Sequence, residues 1–370
     1  MTERYADRRS ALFEKLPDSV DTAYVAPSET LRYLSGLSMH QSERPTLLFL
    51  SRTDGPAAVL PKLETDRVAD ALGADVPFYT YGDATDPTRA ASEAFDRLAA
   101  DCDLSGEAAV EFRSTRVLEY NLLTNYHDPE SIRDLEPAAA ALRAHKDESE
   151  RESMRTAARI TDRVLQETFG DIEVGMSERD VERAIEKRVI DSDADTYSGG
   201  IVTVGERTAF PHANTGGSQI EDGDLVMIDF GVRVDGYFSD ITRTVAVGDP
   251  GEECRDIYEV VREAARAGRE AVAEGVAYEE LDRAARQVID DAGYGEYFPH
   301  RLGHGLGLEG HEPPYLVEGN EATLAVGNAF TVEPGVYVDG VGGVRVEDDV
   351  LLTESGAEVL TETPRELRIL

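Results

Sequence analysis

The chain has 370 residues, a net charge of −37 and a hydrophobic fraction of 41%. That length exceeds one ordinary core and predicts roughly two domains; no run of about 18 apolar residues offers a transmembrane helix. A polyanion of this strength repels nucleic acid and anionic membranes, which excludes both as partners.

The first ten residues lead into an amphipathic stretch without the apolar core of a signal peptide, so a cytoplasmic location is expected. Residues 20–65 read as alternating short strands and turns: Thr46 to Leu50 as a strand, Ser51 to Gly55 as a turn, and Ala57 to Leu60 as the next strand. Ala91 to Ala100 and Ser114 to Leu123 read as helices, with Ala108 to Phe112 as a strand between them. The Ala-rich and then charged stretch Pro137 to Glu152 marks a boundary, giving domains over 1–140 and 146–370.

The second domain opens with a helix carrying Met154, Ala157, Ala158, Val164 and Leu165 on one face. A capping box from Ser177 to Asp180 starts another helix, bearing Val181, Ala184, Ile185 and Val189. A β-rich block follows, then helices over roughly 252–274 and 278–292, then a second β-rich block. Helix pair, β block, helix pair, β block predicts a duplicated half-unit.

Charge usage is also patterned. Asp and Glu supply 74 residues, dispersed along the chain, and the only lysines are Lys15, Lys62, Lys146 and Lys187, leaving 33 of the 37 basic residues as arginine. Molar salt screens self-repulsion over about 3 Å, and dense carboxylates keep a surface hydrated, so adaptation to a salt-rich cytoplasm is expected. Cys102 and Cys254 read as two reduced structural thiols.

Histidine is scarce, with seven in the chain. Four fall in short patterned segments of the second half: His212 in Phe210-Pro-His-Ala-Asn, and His300, His304 and His311 in one Gly-rich stretch ending at Glu312. Imidazole is a common metal ligand and proton shuttle near neutral pH. These histidines therefore select, from an acidic background, the carboxylates that matter. Leu225 to Phe230 is an apolar strand interrupted by Asp229, and an unpaired buried carboxylate is costly. Asp235-Gly236 is a two-residue hairpin signal. That turn pairs Val234 with Tyr237 and sets Asp229 opposite Thr242, with Asp240 on the same face at a diagonal spacing of roughly 7–8 Å.

A three-residue turn centred on Gly340 likewise sets Glu333 opposite Glu347. The stretch after His304 reads as extended, with glycines that let backbone approach a ligand closely. It lacks the Lys-Ser/Thr ending and the helix of a phosphate loop. Two aspartates, one histidine and two glutamates form an oxygen-rich set. That favours a pair of divalent ions such as Mn, Co, Fe or Zn over a structural zinc. Paired ions can hold a bridging hydroxide and polarise a carbonyl, leaving the other histidines to handle protons and an oxyanion.

The ordered set Asp229-Phe-Gly, Ser239-Asp-Ile-Thr-Arg-Thr, Gly303-His-Gly-Leu-Gly, His311-Glu, Val332-Glu-Pro-Gly and Arg345-Val-Glu-Asp resembles the pita-bread metallopeptidases. Within them it is similar to the Xaa-Pro peptidases, prolidase and aminopeptidase P. Leu31 to Gly36 and Pro61 to Glu64 add a looser resemblance to the creatinase/prolidase N-terminal domain. The resemblance implies an α/β (α+β) fold: that N-terminal domain, then a pita-bread domain of pseudo-twofold repeated αβ halves. It implies hydrolysis of the bond before proline in proline-containing peptides, two divalent ions per subunit (Mn or Co, with Zn or Fe compatible) and a homodimer.

The same resemblance implies individual roles. Asp229 binds one metal, Asp240 and Glu347 bridge both, and His304 and Glu333 complete the second site, Glu333 also acting as base. His311 stabilises the tetrahedral intermediate, His212 contacts the scissile region or shuttles a proton, and His300 and Arg345 support the site. His40 reads as a surface loop histidine, with a role at a partner's site as the alternative. All five ligand positions are filled, unlike in the non-metal creatinases and the non-catalytic binding modules of this fold. No arginine or lysine follows His311-Glu312 closely to hold a dipeptide's carboxylate, so Xaa-Pro dipeptides and longer Xaa-Pro N-termini both fit, and a metallo-aminopeptidase of other specificity is the further alternative.

Overall fold

A computed structural model describes residues 2–73, 75–83, 86–211 and 213–370, so His212 lies outside the described residues. The chain forms two compact units, Met1–Arg143 and Ala144–Leu370. Among the described residues no helix is long and apolar enough to cross a membrane.

The first unit runs α1 (Thr2–Lys15), β1 (Val20–Val25), α2 (Glu29–Ser35), β2 (Leu47–Ser51), β3 (Ala57–Pro61), α3 (Thr65–Leu72), β4 (Phe78–Tyr81), α4 (Pro87–Asp101), β5 (Glu107–Val110), α5 (Val117–Leu123), β6 (Ile132–Asp134) and α6 (Glu136–Arg143). Its six-stranded sheet has the order β4-β3-β2-β1-β5-β6. Tyr24, Phe49 and Phe95 pack together in its core.

The strand-and-turn reading of 20–65 is corrected by α2. This helix is too short for a periodicity to show, and its signals are its ends: the Ser28 hydroxyl accepts the Leu31 N–H at 3.2 Å, and Gly36 closes it at φ 77°. The stretch from Pro137 to Glu152 is also mostly helical, split between α6 and the first helix of the second unit.

The second unit repeats one plan twice. Helices α7 (Glu148–Phe169) and α8 (Glu178–Ile190) precede a three-stranded sheet of β7 (Thr196–Val204), β8 (Leu225–Val234) and β9 (Tyr237–Ala246). Helices α9 (Gly251–Glu270) and α10 (Tyr278–Asp291) precede β10 (Gly303–Gly305), β11 (Glu312–Leu316), β12 (Ala329–Val332), β13 (Gly335–Val338), β14 (Gly342–Arg345), β15 (Asp348–Thr353) and β16 (Gly356–Val359). These form a five-stranded sheet of order β11-β10-β12-β15-β16 and the separate hairpin β13-β14.

Each half owns a core. Val164, Val181, Ile185 and Ile228 meet in the first; Val261, Leu281, Ile289 and Phe330 meet in the second. Each such buried side chain contributes about 1.5–3 kcal/mol of transfer free energy. The expected capping box is present: Ser177 accepts the Asp180 N–H at 3.2 Å, and Asp180 accepts the Ser177 N–H at 3.0 Å. The fold class read from the sequence, an α/β chain with a pseudo-twofold second domain, is the architecture observed.

Candidate metal centre

Asp229 and Asp240 are set by the β8–β9 hairpin. Asp235 (φ 51°) and Gly236 (φ 89°) both take positive φ, as a two-residue turn matched to strand twist requires. The register pairs Val234 with Tyr237 and Asp229 with Thr242, and Asp240 faces Gly231.

His304 lies in β10, squeezed between β11 and β12. A Cβ on Gly303 would come 1.9 Å from the Thr331 carbonyl oxygen, and one on Gly305 would come 2.5 Å from that of Glu312. The glycines beside His304 thus admit the neighbouring strands closely. Glu333 and Glu347 flank a break between two ladders of one register. Val332 pairs with Asp348 on one side and Gly335 with Arg345 on the other, so the expected opposition of the two glutamates is met. The turn between β13 and β14 is centred on Gly340, at φ 74°.

These elements bring the five donors together. Asp229, Asp240 and Glu347 form one group, His304, Glu333 and Glu347 a second, and Asp240, His304 and His311 a third, with ligand atoms in each lying within 4.8 Å of one another. They line a cavity of about 440 Å³ whose wall also includes Ile201, Pro211, His300, Arg301 and Arg345.

The electrostatics call for cations. Burial, then repulsion from Asp229, Asp349 and Glu333, pushes the Asp240 carboxyl well above the carboxylate range. Burial, then Asp240, Glu333 and Asp229, does the same to Glu347. Glu333 is pushed up to about 7 by burial, with Arg345 opposing and Asp229 adding to it. Four carboxylates against two arginines, Arg301 and Arg345, are short of positive charge, and an oxygen-rich set with one imidazole is the donor chemistry of divalent cations. The residues present fit such ions.

His304 is oriented for the same purpose. Its Nδ1 lies 3.2 Å from the Gly305 carbonyl and its Nε2 3.2 Å from Glu333 Oε1. Burial, reinforced by His311, lowers its pKa to about 3, so the contact with Glu333 is not an ion pair. A proton on Nδ1, donated to Gly305, turns the Nε2 lone pair toward the donors. The His304 and His311 rings stack with centroids 3.8 Å apart.

A buried polar chain backs the donors. Arg345 donates to Asp229, to Thr242 Oγ1 at 3.0 Å and to Tyr337 Oη at 2.9 Å. Tyr337 Oη lies 3.0 Å from His300 Nε2, and the Thr242 hydroxyl donates to Glu347. Thr242 and Tyr337 were not singled out in the sequence; the register that opposes Thr242 to Asp229 was the available signal. Arg301 was also missed. It lies three residues before His304 rather than after His311, and its guanidinium lies 4.1 Å from the Tyr315 ring centroid.

The segment on either side of His212 is anchored by Glu178, whose buried carboxylate accepts Arg207 Nε at 2.8 Å and the Gly216 N–H at 2.5 Å. His40 sits exposed on a loop of the first unit.

Similarity to known proteins agrees with this geometry. Residues 152–354 match metallopeptidase family M24, and residues 9–145 match the creatinase/prolidase N-terminal domain. An Xaa-Pro dipeptidase of Lactobacillus delbrueckii subsp. lactis is 37% identical over 360 residues, spanning 95% of this chain and 96% of that protein. The crystal structure of a prolidase from Thermococcus sibiricus superimposes with a TM-score of 0.92 at 33% identity, covering 100% of this chain and 99% of that one. A dipeptidase from Pyrococcus horikoshii OT3 does so with a TM-score of 0.89 at 35% identity, covering 99% and 100%. With both of its units matched in this way, the chain belongs to metallopeptidase family M24 and carries a creatinase/prolidase N-terminal domain.

Proposed function

We propose that this chain is a dinuclear metal-dependent exopeptidase that hydrolyses the peptide bond before proline, in Xaa-Pro dipeptides or at Xaa-Pro N-termini. The observation that carries this reading is the overlap of the donor groups: Asp240, His304 and Glu347 each belong to two of them. Shared carboxylates suit a pair of ions: Asp229 would hold one, His304 and Glu333 the other, and Asp240 and Glu347 would serve both. The names of the relatives, Xaa-Pro dipeptidase and prolidase, supply the substrate class.

Bound divalent ions, Mn or Co in first place with Zn or Fe compatible, supply positive charge that polarises the scissile carbonyl and makes water nucleophilic near neutral pH. Glu333 takes the proton from the attacking water; Thr331 Oγ1, 3.1 Å from its Oε1, fixes that oxygen. His311, at the cavity wall beside His304, donates to the oxyanion that develops on the substrate carbonyl. His212 serves the scissile region or passes the proton to the leaving proline nitrogen. Arg345, through Tyr337, ties His300 to Asp229 and so holds the donors at fixed distance. Arg301, whose guanidinium flanks the same cavity, holds the carboxylate of a dipeptide substrate.

The reading extends to a homodimer in a salt-rich cytoplasm. Leu63, Phe112 and Val117 of the first unit are apolar and 60%, 57% and 74% exposed.

Hydrolysis in molar salt with added Mn²⁺ tests the specificity, comparing Xaa-Pro, Xaa-Pro-Yaa and Xaa-Ala-Yaa peptides. Cleavage confined to the first two is expected. Equal cleavage of Xaa-Ala-Yaa would assign a metallo-aminopeptidase of broader specificity. No cleavage of any of them would leave a peptide-binding module.

A further inference from the structure

Asp348 is fully buried and lies outside the donor set, yet three guanidinium groups converge on it. Arg243 Nη2 donates to its Oδ1 at 2.7 Å and Arg269 Nη1 to its Oδ2 at 2.6 Å. Arg365 grips both oxygens, Nε on Oδ2 at 2.7 Å and Nη2 on Oδ1 at 2.9 Å. A two-point fork fixes the carboxylate plane, which a single bond does not.

Arg243 carries that plane to Glu347. Its Nη1 donates to the Glu347 carbonyl, while the Glu347 N–H donates to the Thr242 carbonyl at 3.1 Å. Both backbone groups of this metal-binding glutamate are therefore held by neighbouring residues of β9. Arg243 is only 1% exposed, so its position follows from its partners.

Arg365 belongs to the irregular segment 361–370, which is fastened at two places. Near one end, Asp162 of α7 accepts the Glu362 N–H at 2.7 Å and the Thr363 N–H at 2.8 Å. Near the other, the Ala246 N–H donates to Arg368 O at 2.9 Å and the Leu370 N–H to Ala246 O at 2.8 Å. Thr363 O also accepts Arg243 Nη2 at 2.8 Å.

We propose that residues 361–370 act as a strap that holds Glu347 in its ligand position, with Arg365 as a positioning residue working through Asp348 and Arg243. The inference rests on the reading of the donor set as a metal centre. Partners behind a metal ligand typically account for about 10- to 100-fold in metal affinity.

The test is calorimetric titration of metal-free protein with Mn²⁺ in molar salt, well below its unfolding temperature. Arg365→Met is expected to bind Mn²⁺ about 10-fold more weakly than wild type, with Arg365→Lys in between. Arg266→Met, which removes an exposed arginine of α9, is expected to match wild type. A merely structural role would lower the unfolding temperature of the metal-free protein and leave the affinity unchanged. Wild-type affinity in Arg365→Met overturns the strap alone. Absence of Mn²⁺ binding by wild type overturns the metal centre and the strap with it. If Arg365→Met does not fold, Thr363→Val, which removes the Thr363 hydroxyl bond to Asp162, decides: weaker binding supports the strap, and wild-type affinity overturns it.

Discussion

Arg301 lies over the Tyr315 ring, 4.1 Å from its centroid, at the wall of the cavity that holds Glu333 and His311. A guanidinium held against an aromatic face is pre-aimed, and it offers a carboxylate a charge-assisted bond worth about 1.5–3 kcal/mol. Arg301→Met is therefore expected to raise KM for Xaa-Pro dipeptides by about 10- to 100-fold. The effect on Xaa-Pro-Yaa substrates, whose carboxylate lies further along, is expected to be smaller. Steady-state kinetics on matched peptides checks this; an equal loss on both classes would remove Arg301 from carboxylate recognition.

Lys146 and Glu312 form an ion pair of 3.0 Å with side chains 1% and 3% exposed. Glu312 directly follows His311, so the pair fixes the strand that carries it. Removing one partner of a buried pair leaves an uncompensated charge and costs about 3–5 kcal/mol. Lys146→Met is expected to lower unfolding stability by that order, and Lys146→Met with Glu312→Leu to recover much of it. Denaturant unfolding of both variants provides the measurement; no difference between single and double variants would contradict the account.

The reach of sequence reasoning is clearest at the donors. The Asp235-Gly236 turn fixes the β8–β9 register by itself, so Asp229, Thr242 and Asp240 could be paired residue by residue. Glu333 and Glu347 were legible through Gly340 for the same reason. Arg301 and Tyr337 were not, because their roles arise where β10, β11 and the β13–β14 hairpin meet, and no local pattern records such a meeting. The glycines flanking His304 also make room for neighbouring backbone: the Thr331 carbonyl that Gly303 admits comes from a strand distant in sequence, and the Glu312 carbonyl that Gly305 admits from the end of the same segment. The helix α2 was legible only in its caps, Ser28 and Gly36, since seven residues are too few for a helical period to emerge.

His127 of the first unit is 4% exposed and shares a hydrogen bond of 2.7 Å with Tyr24 Oη. Burial lowers its pKa below the ordinary value of 6.5. The folded state thus favours neutral imidazole, and the unfolded state binds the proton more readily. Its stabilising contribution is complete above pH about 6.5 and is lost as pH falls from there toward the folded-state pKa. Unfolding free energies of wild type and His127→Gln, compared from pH 7.5 down to pH 5.5 at constant high salt, are expected to converge on acidification. A gap that stays constant with pH would contradict a buried neutral His127.

The net charge of −37 makes salt a structural variable. Screening extends over about 3 Å at 1 M salt but about 30 Å at 0.01 M, where dispersed carboxylates repel one another across the molecule. Dialysis into low salt is expected to lower the unfolding temperature and, with time, the helical circular dichroism signal. A fold and activity retained through long exposure to low salt would contradict salt adaptation.

Metal removal and return tests the central claim most directly. Protein stripped with chelator, then supplied with Mn²⁺ in molar salt, is assayed on an Xaa-Pro dipeptide and an Xaa-Pro-Yaa peptide beside Glu333→Ala. The account predicts no turnover without metal, recovery of cleavage before proline on adding Mn²⁺, and none in Glu333→Ala under either condition. Cleavage by thoroughly stripped wild type, or substantial cleavage by Glu333→Ala, would contradict it.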